Sequence, residues 1–187
     1  MPTPPDPTDS PGTGSTEVVL VRTSTTDPIA TLGAASADPA RGPLLAVLAT
    51  VSRERFERRL SESGRDPDDS RVVDFVPRVG PADGTGPGDG ERIHGDIAGL
   101  SMELVGRLDR QDGGLVYLDS LEPFVSVAGL ESTFRFLVIV AARARAAGVS
   151  LVARLDPEAF DAVAAGTLSE AFDRTVEGPA DGAGAAG

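Results

Sequence analysis

The sequence predicts an α/β fold of three layers, with helices on both faces of a mostly parallel sheet of five strands. Several short runs are apolar along their whole length, which is typical of strands covered on both faces. Segments with helical apolar spacing separate these runs, and strands that alternate with helices form parallel sheets with right-handed crossovers. The chain of 187 residues is long enough for one domain with a substantial core.

The five predicted strands are short apolar runs bounded by polar or turn-forming residues. They are Glu17–Arg22, Leu44–Thr50, Arg71–Val76, Leu115–Asp119 and Val149–Leu155. Residues 172–176 fit either a last short strand or the end of a helix.

Four segments between or after these strands have a helical pattern. The first begins at Ser52, a good N-cap residue, and ends before Gly64. The last opens at Asp156-Pro157, with the proline in its first turn. The four predicted helices are 52–63, 93–110, 130–147 and the segment from 156.

Both ends of the chain are predicted to be disordered. Residues 1–16 and 178–187 consist mainly of Pro, Thr, Asp, Gly and Ala, and they cannot bury enough apolar surface to offset the entropy of ordering. The folded domain is therefore predicted to span residues 17–177. Within it, the Pro-, Gly- and Asp-rich stretch 77–91 is expected to be a mobile loop.

The composition favours an acidic, salt-adapted cytoplasmic protein. The net charge is −12, all 17 basic residues are Arg, and the chain has neither Lys nor Cys. Such a surface repels phosphate backbones and anionic membranes, so neither nucleic acid nor membrane is an expected partner. The absence of Cys excludes disulfides and Cys-ligated zinc. The alternative is an acidic protein from a high-GC organism that lives at ordinary salt.

The strand "LVYLD" ends in Asp119-Ser120, an arrangement that suits a magnesium ligand at the carboxyl edge of a sheet. The stretches "GGLVYLDSL" and "FRFLVIVAARARAAGVSLVARLD" resemble the RecA/KaiC branch of the P-loop ATPases over residues 17–176. More narrowly, the chain resembles degenerate KaiC-like proteins of haloarchaea that lack the Walker A motif. The resemblance implies a nucleotide site, or its remnant, at Asp119, Ser120, Thr23, Ser24 and Thr25.

The sequence lacks the residues that an ATPase needs for phosphate binding and hydrolysis. A P-loop needs G-x-x-x-x-G-K-[ST] after the first strand, but Thr23 begins the stretch "TSTTDPIATLG", and the chain has no lysine. KaiC-like ATPases carry catalytic glutamates beyond the next strand, where this chain has Thr50, Val51 and Ser52. We therefore expect no catalytic residue and no cofactor. The predicted function is that of a pseudo-ATPase that regulates or binds other proteins, with a role in signal transduction.

Asp119 has two interpretations that the sequence leaves open. It could bind magnesium or a ligand, or it could cap backbone amides of the next loop or pair with Arg154. If Asp119 binds magnesium or a ligand, the alternative function is a divergent nucleotide-binding protein or NTPase. Such a protein would use ATP and Mg with an irregular phosphate loop at 23–26. A third possibility is a structural subunit without a ligand.

The helix 130–147 is the predicted place for a protein partner or self-association. It is apolar most of the way round, which is typical of a helix buried on two sides and less often of a partner surface. Phe134, Leu137 and Val138 lie on one apolar face, and Arg135, Phe136 and Arg143 are the candidate contacts. His94 is the single histidine, and no carboxylates are spaced to complete a zinc site with it.

Overall fold

The computed structural model describes residues 16–37, 42–77, 92–95, 97–111 and 113–180. The segments for which the sequence predicts disorder or mobility lie almost entirely outside these ranges. The described residues form one sheet with helices on both of its faces, and the predicted three-layer α/β class is thereby confirmed.

The sheet has seven strands within the described ranges, and every neighbouring pair is parallel. Their order across the sheet is β4-β3-β2-β5-β6-β1-β7. The strands are β1 Val18–Arg22, β2 Leu44–Leu48, β3 Ser70–Pro77, β4 Arg92–Gly95, β5 Leu115–Leu118, β6 Ser150–Leu155 and β7 Arg174–Glu177.

All five predicted strands are present, and the predicted count was too low by the two edge strands. The residues of β4 had been assigned to the start of a helix, because the helical apolar spacing that follows extends back to Ile93. His94 accordingly lies in β4 and not at a helix start. The segment 172–176, which fitted either structure, contains most of β7.

Five α-helices connect these strands, together with a 3-10 turn at Pro67–Asp69. The predicted cap of α2 is present, since the hydroxyl of Ser52 accepts from the amide of Arg55 at 3.4 Å. The prediction of a helix opening at Asp156 was wrong: Asp161 caps α5 instead, through a hydrogen bond to the amide of Ala164 at 2.8 Å. The helices are α1 Pro28–Ala34, α2 Arg53–Glu62, α3 Ile97–Leu108, α4 Glu122–Ala146 and α5 Ala162–Ser169.

The two faces of the sheet carry separate apolar cores because successive side chains of a strand point to opposite faces. In β5, Val116 and Leu118 pack with the helices α3, α4 and α5. Leu115 and Tyr117 pack on the other face with α1 and α2. The layer of α3, α4 and α5 is called the three-helix layer below.

Helix α4 consists of two segments joined at Gly129, whose φ of 78° and ψ of 165° are not helical. Positive φ is a conformation that glycine adopts without steric penalty, and the predicted start at 130 is the start of the second segment. Of the apolar face read from the sequence, Leu137 is buried whereas Val138 is exposed, and Phe136 and Val140 outside that face are also buried. By length and composition α4 could also cross a membrane, as the core helix of a folded domain often can.

Candidate functional site at the carboxyl edge of the sheet

The carboxyl ends of β1, β6, β5 and β2 lie side by side at one edge of the sheet. This edge brings together the segments that the sequence singles out. Thr23–Thr25 follow β1, Asp119 and Ser120 follow β5, and Thr50–Ser52 follow β2. The edge is where α/β sheets generally bind ligands, so it is the candidate site.

Asp119 is fully buried and holds the loop that follows β2. One carboxylate oxygen, Oδ1, accepts from the amide of Ala49 at 2.8 Å. The other, Oδ2, accepts from the amide of Thr50 at 2.8 Å, from the Thr50 hydroxyl at 2.9 Å and from the amide of Val51 at 2.7 Å. The carboxylate therefore accepts four hydrogen bonds from a single short loop.

These four contacts decide what the carboxylate can do. An ionised carboxylate has about two lone-pair positions on each oxygen. Three donors of this loop contact Oδ2, and one contacts Oδ1. Burial raises the pKa of Asp119, while the hydrogen bonds from Val51, Ala49 and Thr50 act to lower it. Every partner is a donor, so the hydrogen bonds favour the ionised form. A metal ion could bind Oδ2 only by displacing loop donors.

The expectation that Asp119 caps backbone amides thus describes its contacts, with one difference. The amides belong to the loop after β2, the neighbouring strand, and not to the loop that follows β5. The reason is the register of the sheet: β2 and β5 are adjacent, and the amide of Asp119 itself donates to the carbonyl of Val47 at 3.1 Å.

Arg154 of β6 joins the ends of β5 and β1 from the strand between them. Its side chain is 3% exposed. Its Nε donates to the backbone carbonyl of Asp119 at 2.6 Å, and its NH1 donates to the carbonyl of Thr23 at 3.3 Å. The predicted pairing of Arg154 with Asp119 therefore exists, but it uses the carbonyl of Asp119 and not the carboxylate.

The loop after β1 uses its own side chains to satisfy its amides. The Thr23 hydroxyl accepts from the amide of Thr25 at 3.2 Å, and the Thr25 hydroxyl accepts from the amide of Asp27 at 3.2 Å. The Asp27 carboxylate continues the series by accepting from the amide of Ile29 at 3.0 Å. Pro28 has no amide. A P-loop presents such amides to phosphate, and here three of them are already bonded.

The segment after β7 covers the same loop. The Thr23 hydroxyl donates to the carbonyl of Pro179, and the amide of Gly178 donates to the carbonyl of Arg22 at 2.9 Å. A Cβ atom on Gly178 would lie 2.9 Å from the Cβ of Thr23, so only glycine fits this close approach. The sequence did not indicate this contact, because the glycine belongs to a stretch with the composition of a disordered tail.

Ser120 and Ser24 complete the predicted set. Ser120 is fully buried, and its hydroxyl accepts from the amide of Glu122 at 3.4 Å at the start of α4. Ser24 is half-buried beside Thr23. Both serines lie at the predicted edge.

Tyr117, one residue from the end of β5, is a buried polar residue that the sequence analysis did not single out. Its ring stacks on Phe56 with centroids 6.0 Å apart and planes within 10°. Its hydroxyl is buried, and this burial raises its pKa, with the charge of Asp119 acting in the same direction. The apolar "LVYL" pattern predicts a strand but does not show which groups surround the Tyr117 hydroxyl.

Three surface cavities lie away from Asp119, at the opposite edge of the sheet. One of about 360 Å³ is lined by Arg71, Arg107 and Arg110 together with Asp68, Asp69 and Glu103. The other two, of about 430 Å³ each, lie beside Arg65 and beside Arg143. Within the described ranges no group of three or more His, Asp or Glu side chains could hold a metal ion.

The three predicted partner contacts have different environments. Arg135 is exposed and pairs with Glu131 at 2.7 Å, and Arg143 pairs with Asp109 of the turn after α3 at 2.6 Å. Phe136 is 3% exposed, with its ring centroid 5.7 Å from that of Phe124. The proposal of Phe136 as a partner contact was therefore wrong, because its ring forms part of the core.

The match to known families covers nearly the whole described fold. A family model, described as a family of unknown function (DUF7504), matches residues 17–178. The chain belongs to DUF7504. The DUF7504 match begins next to β1 and ends at Gly178. It therefore includes β1, its two neighbouring strands β6 and β7, and the close contact of Gly178 with Thr23. A comparison with curated proteins finds no match.

Proposed function

We propose that this DUF7504 protein is a RecA/KaiC-like domain without ATPase activity, which acts as a regulatory or protein-interaction module. The observation that carries the proposal is the use of the Asp119 carboxylate by the loop after β2. The carboxylate accepts four hydrogen bonds from residues 49–51, three at Oδ2 and one at Oδ1, and a magnesium ion would compete with these donors.

The arrangement of the strand ends supports a nucleotide-binding ancestry. A phosphate loop and a magnesium ligand must reach the same nucleotide, so they must lie on nearby strands. Only β6 separates β1 from β5, which corresponds to about 10 Å at the usual strand spacing. This is the neighbourhood that the resemblance to P-loop ATPases requires of Thr23–Thr25 and Asp119.

Three further features support the loss of turnover. The amides of Thr25, Asp27 and Ile29 are bonded to side chains of their own loop. The chain has no lysine that could reach a phosphate. Glu54, the first carboxylate after β2, is exposed in the first turn of α2 and is not buried beside Asp119.

The cellular setting is also part of the proposal. A net charge of −12 without any lysine suits the cytoplasm of a salt-adapted organism, and it disfavours anionic nucleic acids and membranes as partners. A domain without catalytic residues then acts through contacts with protein, and signal transduction is the role we favour. The partner is addressed in the next subsection.

A calorimetric titration tests the proposal directly. Purified protein in molar KCl is titrated with ATP in the presence of magnesium, and its melting temperature is recorded with and without the nucleotide. We expect no binding heat, no change in melting temperature and no release of phosphate. The same titration without magnesium is the control for nonspecific heat.

The competing function has an opposite outcome. Micromolar, magnesium-dependent binding that Asp119→Asn abolishes would overturn the proposal and establish a divergent nucleotide-binding protein that uses Asp119. Because Asp119→Asn also removes a structural contact, folded variant protein must first be shown by circular dichroism. The dependence on magnesium in the unaltered protein decides the question independently of that variant.

A further inference from the structure

The three-helix layer carries most of the exposed large apolar side chains of the described residues. Met102 on α3 is 73% exposed, Val163 on α5 is 76% exposed, and Val138 and Ile139 on α4 are each 43% exposed. A fifth, Val76, lies on β3. The α1 and α2 layer has none. This uneven distribution indicates that the three-helix layer carries a surface that another molecule covers.

The centre of this surface is the outer side of α4. Exposed residues recur there at 131, 135, 138, 142 and 145, the spacing of one helical face. We call these five residues the α4 stripe. Two large apolar residues of α4, Val138 and Ile139, are each 43% exposed. The helix is thus more apolar than its burial inside one chain requires.

Charge along the α4 stripe favours one particular occupant. Glu131 lies towards the amino end of the stripe, Val138 and Ala142 lie at its centre, and Arg145 lies at its carboxyl end. In a parallel pair of such helices, like charges would meet. In an antiparallel pair, Glu131 of each copy would meet Arg145 of the other, and the two helix dipoles would also oppose each other favourably.

We propose that a second copy of this chain docks on the α4 stripe, with the two α4 helices antiparallel about a two-fold axis near Val138. With the axis at that residue, position 131 of one copy faces position 145 of the other, because each is seven residues from the centre. Such an interface is self-complementary and closed, so it produces a dimer and no longer assembly.

Existing ion pairs leave both charged residues available for this contact. The NH2 group of Arg145 pairs with Asp173 at 2.6 Å, and the Arg145 side chain is 41% exposed. Because a guanidinium has five N–H donors, Arg145 can also pair with a second carboxylate. Glu131 pairs with Arg135 and is 87% exposed. In the dimer, Glu131 would lie between Arg135 of its own chain and Arg145 of the second copy.

Sedimentation equilibrium of the full chain in molar KCl tests the dimer. We expect a dimer for the unaltered protein and at least a tenfold weaker association for Val138→Asp, since it places an unpaired charge at the centre of the interface. Ser61→Asp is the matched control, because it adds the same charge to exposed surface of α2 and should leave the dimer intact. A monomeric unaltered protein would overturn the proposal.

Spin labels test the antiparallel register. The chain contains no cysteine, so Val138→Cys and Ala146→Cys each introduce a single labelling site. Antiparallel packing predicts about 10 Å between the labels at 138 and about 25 Å between those at 146. Short distances at both positions would show a parallel pair and exclude this register. Binding to neutral lipid vesicles by a monomer would show that a membrane covers the stripe instead.

The dimer supplies the partner for the interaction role proposed above and rests on that role, yet the two can fail separately. ATP hydrolysis by a dimer would overturn the pseudo-ATPase function alone. A monomer that neither binds nor hydrolyses ATP would overturn the proposed dimer alone. Sedimentation and calorimetry on one preparation therefore distinguish the two.

Discussion

The carboxylate of Asp119, at the end of β5, accepts a hydrogen bond from the amide of Val51 at 2.7 Å. Val51 belongs to the loop that links β2 to α2, so this bond connects the ends of two neighbouring strands. Amides of Ala49 and Thr50 share the same carboxylate. An aspartate in the position of a magnesium ligand therefore acts as the acceptor that fixes the conformation of an adjacent loop.

We expect Asp119→Ala to destabilise the fold by about 3 kcal/mol, because it leaves several buried donors of residues 49–51 without an acceptor. Asp119→Asn should cost about 2 kcal/mol, since its NH2 group would face amides that are themselves donors. Urea denaturation in molar KCl measures both changes.

Asp109→Asn is the control for this pair, because Asp109 is half exposed in a surface ion pair with Arg143. Its effect should stay within about 0.5 kcal/mol. Unchanged or increased stability of Asp119→Asn would contradict the structural role of Asp119. Such an outcome is typical of residues that are retained for ligand binding.

Arg154→Lys tests the bridge between β5 and β1. A lysine has a single ammonium group and cannot reproduce the fork that reaches the carbonyls of Asp119 and Thr23 together. We expect a loss of about 2 kcal/mol in the free energy of unfolding, measured by urea denaturation.

Arg135→Lys is the matched control, since Arg135 is exposed and pairs only with Glu131 within its own helix. It should change stability by less than about 0.5 kcal/mol. Equal effects of the two substitutions would show that the buried fork of Arg154 contributes nothing beyond its charge.

The sequence was sufficient for the fold class and for five of the seven described strands. Continuous apolar runs identify buried strands without any tertiary information, and Asp119 follows such a run directly. Its contacts could not be predicted, because Val51 is separated from Asp119 by 68 residues. The partner of a strand-end side chain depends on which strands are neighbours, and a single sequence does not specify their order.

The errors have equally local causes. A four-residue strand such as Arg92–Gly95 is too short to show a period, so the helical pattern of α3 absorbed it. Phe136 was a candidate partner contact because α4 is apolar around most of its circumference, so the pattern does not separate buried from exposed positions. Only its packing against Phe124 identifies the inner face.

Stability should depend on pH through Asp173. The hydrogen bond from Arg145 lowers the pKa of this carboxyl, and the amide of Val18 acts in the same direction. A lowered pKa in the folded state means that the stabilisation is present above the ordinary aspartate pKa, about 3.9, and is lost as pH falls through the folded value.

Asp173→Asn should therefore be less stable than the unaltered protein at pH 7, and the difference should shrink towards zero near pH 2. Its size at pH 7 is at most about 1 kcal/mol, because both side chains are over 40% exposed and solvent screens the pair. Thermal melts across this pH range measure the difference. If Arg145 is the cause, Asp173→Asn should have a clearly smaller effect in an Arg145→Gln background.

Two Gly-to-Ala substitutions should change stability in opposite directions. Gly129 joins the segments of α4 at φ 78°, where a Cβ is strained although nothing lies within 4 Å of it. We expect Gly129→Ala to cost about 1–2 kcal/mol. Gly166 lies inside α5 with equally open surroundings, so Gly166→Ala should stabilise by about 0.5–1 kcal/mol through helix propensity. Urea denaturation of both variants measures the contrast, and a stabilising Gly129→Ala would mean that α4 is continuous through residue 129.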